Sequence, residues 1–165
     1  KAMNDTWDHI YLCLKNADEP LYQMLIKKLG DDITVFESGE VPDLSSIEKN
    51  GNQLMIFDDL VGDKAANESI AEYYKMARKK DISCAYLSQS YFGVPKFIRS
   101  NCSQLIIRKV ATARDLSMIL SEYPLDMNKE ALKTIYNRCT RGFTDIMSID
   151  LQNGNIFCNL KYKVS

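Results

Sequence analysis

Apolar residues recur along this chain in two rhythms. Short unbroken apolar runs, bounded by polar or Gly/Pro-marked segments, have the length of strands buried in a sheet rather than of free-standing helices, and Leu54-Met55-Ile56-Phe57, which lacks a polar alternate, reads as buried on both faces. His9-Ile10-Tyr11-Leu12-Cys13-Leu14, Ile33-Thr34-Val35-Phe36-Glu37, Leu54-Met55-Ile56-Phe57, the run over 82–90 and Gln104-Leu105-Ile106-Ile107-Arg108 are such runs. Between them the apolar positions fall three and four apart, the spacing of one helix face. Pro20 opens one such segment through Leu21-Tyr22-Gln23-Met24-Leu25-Ile26, and Lys27, Lys28 and Gly30 close it. Proline at the first turn, cations at the last and glycine beyond the end agree with a helix there. Ile70, Tyr73, Tyr74 and Ala77 form the inner stripe of a second helix over 67–80, with basic residues gathered at its end.

The connection over 38–52 is polar, with a short helical piece predicted near 44–49. Past Ser90, a Gly93/Pro95 turn leads to one or two helical turns through Phe97 and Ile98. Two further helices are expected over 113–122 and 128–139, parted by Pro124. The runs 145–149 and 156–162 flank Asn153-Gly154, a strong hairpin signal. Strands alternating with helices predict an α/β fold with a mainly parallel sheet, flanking helices and a C-terminal antiparallel hairpin. A length of 165 residues suits a single domain.

Composition narrows the functional classes. With 21 basic against 22 acidic residues and a formal charge of −1, bulk electrostatics give no case for nucleic acid, and such a partner must be met by a local patch. The five cysteines, at 13, 84, 102, 139 and 158, are widely spaced without a CxxC pair, and are expected to be reduced core residues of an intracellular protein. No apolar run approaches the roughly 18 residues of a membrane span, and no signal peptide precedes the first strand. No membrane association is therefore expected.

The chemistry with most promise sits at Asp58-Asp59, directly after an apolar strand. The C-terminal edge of an open α/β sheet is where ligands bind, because the loops leaving it surround a crevice. Two adjacent carboxylates there repel each other. A metal ion removes the conflict, one Asp holding Mg²⁺ or its waters and the other orienting or deprotonating a water. The plainer alternative is a cap-and-turn, which needs only one of them. Gln89 ends the next strand, where a neutral amide could orient a water or touch a γ-phosphate; alternatively it bonds to its own loop. Arg99 and Arg108 flank Asn101, and either is a candidate arginine finger or an ordinary surface cation. The single histidine, His9, suits packing better than catalysis, and no catalytic triad or zinc-spaced cluster is present. Nor does any GxxxxGK[ST] occur in the 165 residues, so no phosphate-cradling loop is recognisable.

Taken together, the segments 53–60, Ala85-Tyr86-Leu87-Ser88-Gln89-Ser90, Val94-Pro95-Lys96-Phe97-Ile98-Arg99-Ser100-Asn101 and Leu105-Ile106-Ile107-Arg108 resemble the FtsK/HerA superfamily of P-loop ATPases. More narrowly they resemble the poxvirus-type genome-packaging ATPases of large DNA viruses, virophages and Polinton-like elements, and Trp7-Asp8-His9-Ile10-Tyr11 suits that group. The likeness spans roughly 7–162. It implies a RecA-like fold, with Asp58 as the Mg²⁺-coordinating Walker B residue, Asp59 as the water-activating carboxylate, Gln89 as sensor, and Arg99, then Arg108, as finger. It further implies ATP and Mg²⁺ as cofactors, and double-stranded DNA and a viral capsid or portal vertex as partners. A homo-oligomeric ring in the host cytoplasm, a viral factory or the virion is implied as well.

The departure from that pattern is the Walker A segment, which in the family precedes the first strand found here. Its strand would occupy a slot between the Gln89 and Leu105 strands. The expectation is a piece of a longer protein whose slot does not stay empty: the flanking strands pair directly, a second copy swaps a strand in, or a separate upstream peptide fills it, and the chain made alone is prone to self-association. Two other readings stay open: a non-catalytic oligomerisation or scaffold domain that keeps the ATPase fold, and a cellular FtsK/HerA-type DNA translocase.

Overall fold

The computed structural model describes residues 6–123 and 127–164, which form two compact units, one within residues 1–101 and the other within 102–165. In the first, strands β1 (His9–Cys13), β2 (Ile33–Phe36), β3 (Gln53–Asp58) and β4 (Ile82–Leu87) form a parallel sheet in the order β2-β1-β3-β4. Helix α1 (Pro20–Leu29) links β1 to β2, and α2 (Lys64–Met76), continued by a 3₁₀ turn over Ala77–Lys80, links β3 to β4. A short helix α3 (Lys96–Ser100) ends the unit.

Side-chain alternation along the strands sorts the core onto two faces. Cys13, Met55 and Phe57 pack with Ile70, Tyr73 and Ala77 of the α2 segment and Ile98 of α3. On the other face, Leu12, Leu14 and Ile33 meet Tyr22, Leu25, Ile26 and Leu29 of α1. The β3 strand was expected to be buried on both faces. Instead Gln53, Met55 and Phe57 are buried while Leu54, Ile56 and Asp58 are only half-buried. The α1 face is the thinner cover: α1 itself contributes no fully buried residue and exposes Leu21 and Met24 outward.

Local chemistry fixes the connections. Helix α2 begins at Lys64 rather than at 67, because Asp63 caps it by accepting from the Ala66 N–H at 2.9 Å. At its far end Lys80 Nζ donates to the carbonyls of Leu44 (2.8 Å), Ser45 (3.2 Å) and Ile47 (2.6 Å), tying down the 3₁₀ turn Leu44–Ser46. Asp8 accepts from the Asn52 N–H at 2.7 Å, and Gly51, with φ of 66°, leaves room where a Cβ would lie 2.2 Å from Asp8 Oδ2. His9 bonds Thr34 Oγ1 through Nε2 at 2.8 Å, a packed histidine as expected.

The second unit carries an antiparallel sheet, β5 (Gln104–Ile107), β6 (Met147–Asp150), β7 (Ile156–Cys158) and β8 (Tyr162–Lys163), in chain order. Helices α4 (Ala113–Glu122) and α5 (Lys129–Cys139) pack with each other, capped by Thr112 and Asn128. The Pro124 break between them lies outside the described residues. The hairpin around Asn153-Gly154 is present as β6–β7, but Asn159 and Leu160, both with positive φ, turn the expected 156–162 strand into two.

Two expectations need correction. The Leu105 strand was placed in the parallel sheet, yet β5 pairs antiparallel with β6, and among the described residues β4 and β5 do not pair with each other. Each ends its sheet, with Leu87 48% and Ile106 52% exposed. The cysteines were expected to be all reduced, but Cys139 and Cys158 form a disulfide, their Cα atoms 4.9 Å apart. The β6–β7 hairpin returns Cys158 to the C-terminal end of α5, a proximity that a separation of 19 residues did not reveal. Cys13, Cys84 and Cys102 remain thiols, and burial, then Glu40, push Cys13 up to about 12, which makes it an inert core residue.

Closing a loop of this length removes denatured-state entropy corresponding to about 3 kcal/mol. Reduction, or the Cys139→Ala/Cys158→Ala pair, should therefore lower the unfolding free energy of the second unit by about that amount, read as a lower denaturant midpoint. Equal midpoints with and without reductant would show that the bond contributes nothing.

Candidate functional site

The carboxylates stand where β3 leaves the parallel sheet. Asp58 is in register with Leu87 of β4, and the Asp59 N–H continues the ladder by donating to the Leu87 carbonyl at 3.1 Å. Asp59 then takes φ of 50°, a left-handed conformation that aspartate tolerates better than most residues but that is seldom adopted without local compensation. Of the two side chains, Asp58 is half-buried and Asp59 exposed. Leu60, wholly buried, anchors the chain immediately afterwards.

A network stiffens this edge. Asn67 Nδ2 donates to the carbonyls of Leu60 (3.1 Å) and Asp63 (2.7 Å), while its Oδ1 accepts from Tyr86 Oη at 3.1 Å. Burial, then the Asp59 charge, push the Tyr86 phenol up to about 12, so it stays a neutral donor. Gly93 allows the loop after β4 to approach the loop after β3, since a Cβ there would lie 2.4 Å from Val61 Cγ1.

On the α1 side, the Tyr22 hydroxyl donates to Asp58 Oδ2. Burial first, then the neighbouring charges of Asp59 and Glu19, raise the Asp58 carboxyl above the ordinary aspartate range. Tyr22 and Glu19 were not singled out from the sequence. The signal available was Pro20 at a helix start, which places Glu19 and Tyr22 on the first turn of the helix following a strand next to β3.

Gln89 lies two residues beyond Leu87, at the same edge as the carboxylates. Its turn is fixed by Ser88, whose Oγ donates to the Ser90 carbonyl at 2.9 Å and accepts from the Ser90 N–H at 3.0 Å, and the Gln89 side chain is exposed. The arginines are engaged locally. Arg99, on α3, donates from Nε to the Val94 carbonyl at 3.0 Å and stacks on Tyr91 and Phe92, 4.8 and 5.3 Å from the ring centroids. Arg108, in the other unit, donates to the Phe143 carbonyl and covers the Phe143 ring at 5.0 Å.

No group of three or more His, Cys, Asp or Glu that could hold a metal occurs among the described residues. The donor set at this edge is thus a carboxylate pair with Glu19 near it. Mg²⁺ commonly binds protein through one or two carboxylates while keeping waters and substrate oxygens, so the pair fits that ion. Burial first, and then the unneutralised charges of Asp59 and Glu19, raise the Asp58 carboxyl. A cavity of about 640 Å³ lies elsewhere, lined by His9, Tyr11, Phe36, Glu40, Asp43 and Gln53 among others, and by none of the residues of the carboxylate edge.

A family model described as the poxvirus A32 protein matches residues 6–164. The chain belongs to the poxvirus A32 protein family. Its fold is also that of the genome packaging NTPase B204 from Sulfolobus turreted icosahedral virus 2, solved in complex with ATP-gammaS and with AMP. The first matches with a TM-score of 0.64 at 13% identity, covering 92% of this chain and 81% of that one. The second matches at 0.62 and 12% identity, covering 93% and 82%. No curated protein matches significantly. At such identities the likeness establishes the fold, α/β with a parallel sheet and a separate antiparallel one.

The pH response of the site follows from Asp58. A carboxyl raised in the folded state holds its proton more tightly there than in the unfolded chain, so its stabilising contribution is complete below the unfolded value of about 3.9 and is lost as pH rises through the folded one. Ionised Asp58 therefore weakens the fold at neutral pH. Asp58→Asn, which keeps an acceptor for Tyr22, should raise the melting temperature at pH 7 and flatten its decline above pH 4. A variant that melts lower than wild type at pH 7 would remove the argument from burial and repulsion.

Proposed function

We propose that the chain is the carboxylate-bearing part of a viral genome-packaging ATPase, a motor that couples ATP hydrolysis to movement of double-stranded DNA into a capsid. The observation that carries this reading is the Asp58-Asp59 pair at the C-terminal edge of a parallel sheet, one side chain half-buried with a raised carboxyl and the other turned outward on a left-handed residue. Family membership and the nucleotide complexes of the B204 neighbours support it.

In this reading Asp58 holds Mg²⁺ directly or through its waters, and Tyr22 and the sheet fix its orientation. Bound Mg²⁺ supplies charge neutralisation to the phosphates. Asp59 orients or deprotonates the attacking water, and Gln89, on the adjacent exposed turn, senses the γ-phosphate. Arg99 is the preferred finger, acting on a neighbouring subunit's nucleotide in a homo-oligomeric ring, with Arg108 second. A phosphate loop is not among these residues, so nucleotide needs a cradle from outside them. That lack favours, as a second reading, a scaffold domain that keeps the fold without hydrolysis.

The 165-residue chain should release phosphate from ATP no faster than background. Mg²⁺ should raise its melting temperature, and Asp58→Asn should abolish that shift. Joined to a functional phosphate loop, Asp59→Asn should keep nucleotide binding and lose turnover by about 100-fold or more, whereas Asp58→Ala should also weaken Mg²⁺-dependent binding. Undiminished turnover of the Asp59 variant would overturn its role, and no turnover by any loop-bearing form would leave the scaffold reading.

A further inference from the structure

One end of the antiparallel sheet collects cations that the carboxylate edge does not use. The segment after β5 carries Arg108 and Lys109, the loop before β6 carries Arg141, and the β7–β8 turn carries Lys161. Pairing of Ile107 with Met147, of Met147 with Cys158 and of Cys158 with Tyr162 brings all three segments to that end. Across residues 108–112, 140–146 and 159–161 the only carboxylate is Asp145. It is committed to the Gly142 N–H at 2.7 Å and Asn159 Nδ2 at 3.0 Å, which hold it below the ordinary range. The cations make no ion pair among the described residues.

In their midst Phe143 is 92% exposed, the Arg108 guanidinium against its ring. A phenylalanine so exposed lowers no folding free energy by burial, yet its loop is well built: the Asp145 N–H donates to the Gly142 carbonyl at 3.2 Å and the Ile146 N–H to Asn159 Oδ1 at 2.9 Å. The disulfide joins the residues just ahead of the Arg141 and Lys161 loops, so both are held in place before any partner arrives.

We propose that this sheet end is a nucleic-acid contact surface, its cations taking phosphodiester oxygens and Phe143 stacking on a base or sugar. The three segments that carry the cations leave or enter neighbouring strands at one end of the sheet, which concentrates positive charge where a phosphodiester backbone needs it. An arginine-backed exposed ring is suited to a base face, which an acidic protein surface lacks. It also gives Arg108 a role other than the finger. The inference rests on the packaging reading only for naming DNA as the polyanion.

The test is fluorescence anisotropy of the 165-residue chain, without nucleotide, on a labelled duplex and on the matching single strand across a salt series. Omitting nucleotide keeps the result independent of the carboxylate roles. Arg141→Glu with Lys161→Glu should weaken binding at least tenfold and flatten the log K against log salt slope by about 2. The charge-conserving pair Arg141→Lys with Lys161→Arg should bind within about twofold of wild type. Phe143→Ala should weaken single-strand binding about tenfold with the slope unchanged. Wild type that does not bind, charge reversal without effect, or equal loss in the charge-conserving pair overturns the proposal. So does polyglutamate competing as well as DNA, which would make this an acidic-protein surface.

Discussion

Two carboxylates on consecutive residues at the end of a buried strand are an electrostatic conflict, and the first unit is arranged to hold it. Register with β4 fixes where β3 ends, the left-handed Asp59 sends the second carboxylate outward, and wholly buried Leu60 prevents the turn from relaxing. Asp58 cannot swing away either, because it lies on the α1 face and Tyr22 holds one of its oxygens. Burial first, and then the neighbouring charges, leave a carboxyl that keeps its proton more readily than an ordinary aspartate. Sites that neutralise such a charge from outside, by a cation or a phosphate-bound metal, commonly sacrifice some stability in this way.

The surrounding core explains why that edge is stiff. The α2 face is closed by a dense set of side chains, including edge-on packing of Phe57 against Tyr73 with ring centroids 5.4 Å apart. Tyr86 and Asn67 carry this rigidity to the loop after β3, and Gly93 permits the loop after β4 to meet it. The α1 face is more open, which is why Asp58 retains solvent contact and why Leu21 and Met24 stay exposed.

The second unit depends on different forces. Its short antiparallel strands are supplemented by a disulfide and by an α4–α5 pair that inserts Leu116, Ile119, Leu120, Leu132 and Tyr136 into its interior. In so small a unit a covalent link carries more weight than in the parallel-sheet unit, whose core is larger.

Hydrophobic spacing alone marked every long element and the Asp58-Asp59 edge, because strand and helix periods are local properties that need no partner. The hairpin was equally local, written in Asn153-Gly154. What tertiary structure decided was everything that depends on distant residues meeting. The pairing of β5 with β6 rather than with the parallel sheet turns on which backbone edges come together, and no run of residues records that. The Cys139–Cys158 bond needs the hairpin to fold back on α5. Tyr22 reaches Asp58 only because parallel pairing of β1 with β3 sets α1 above that strand. The gathering of Arg108, Arg141 and Lys161 at one sheet end, in a chain whose net charge is −1, is invisible to composition because charge is counted along the sequence but felt through space.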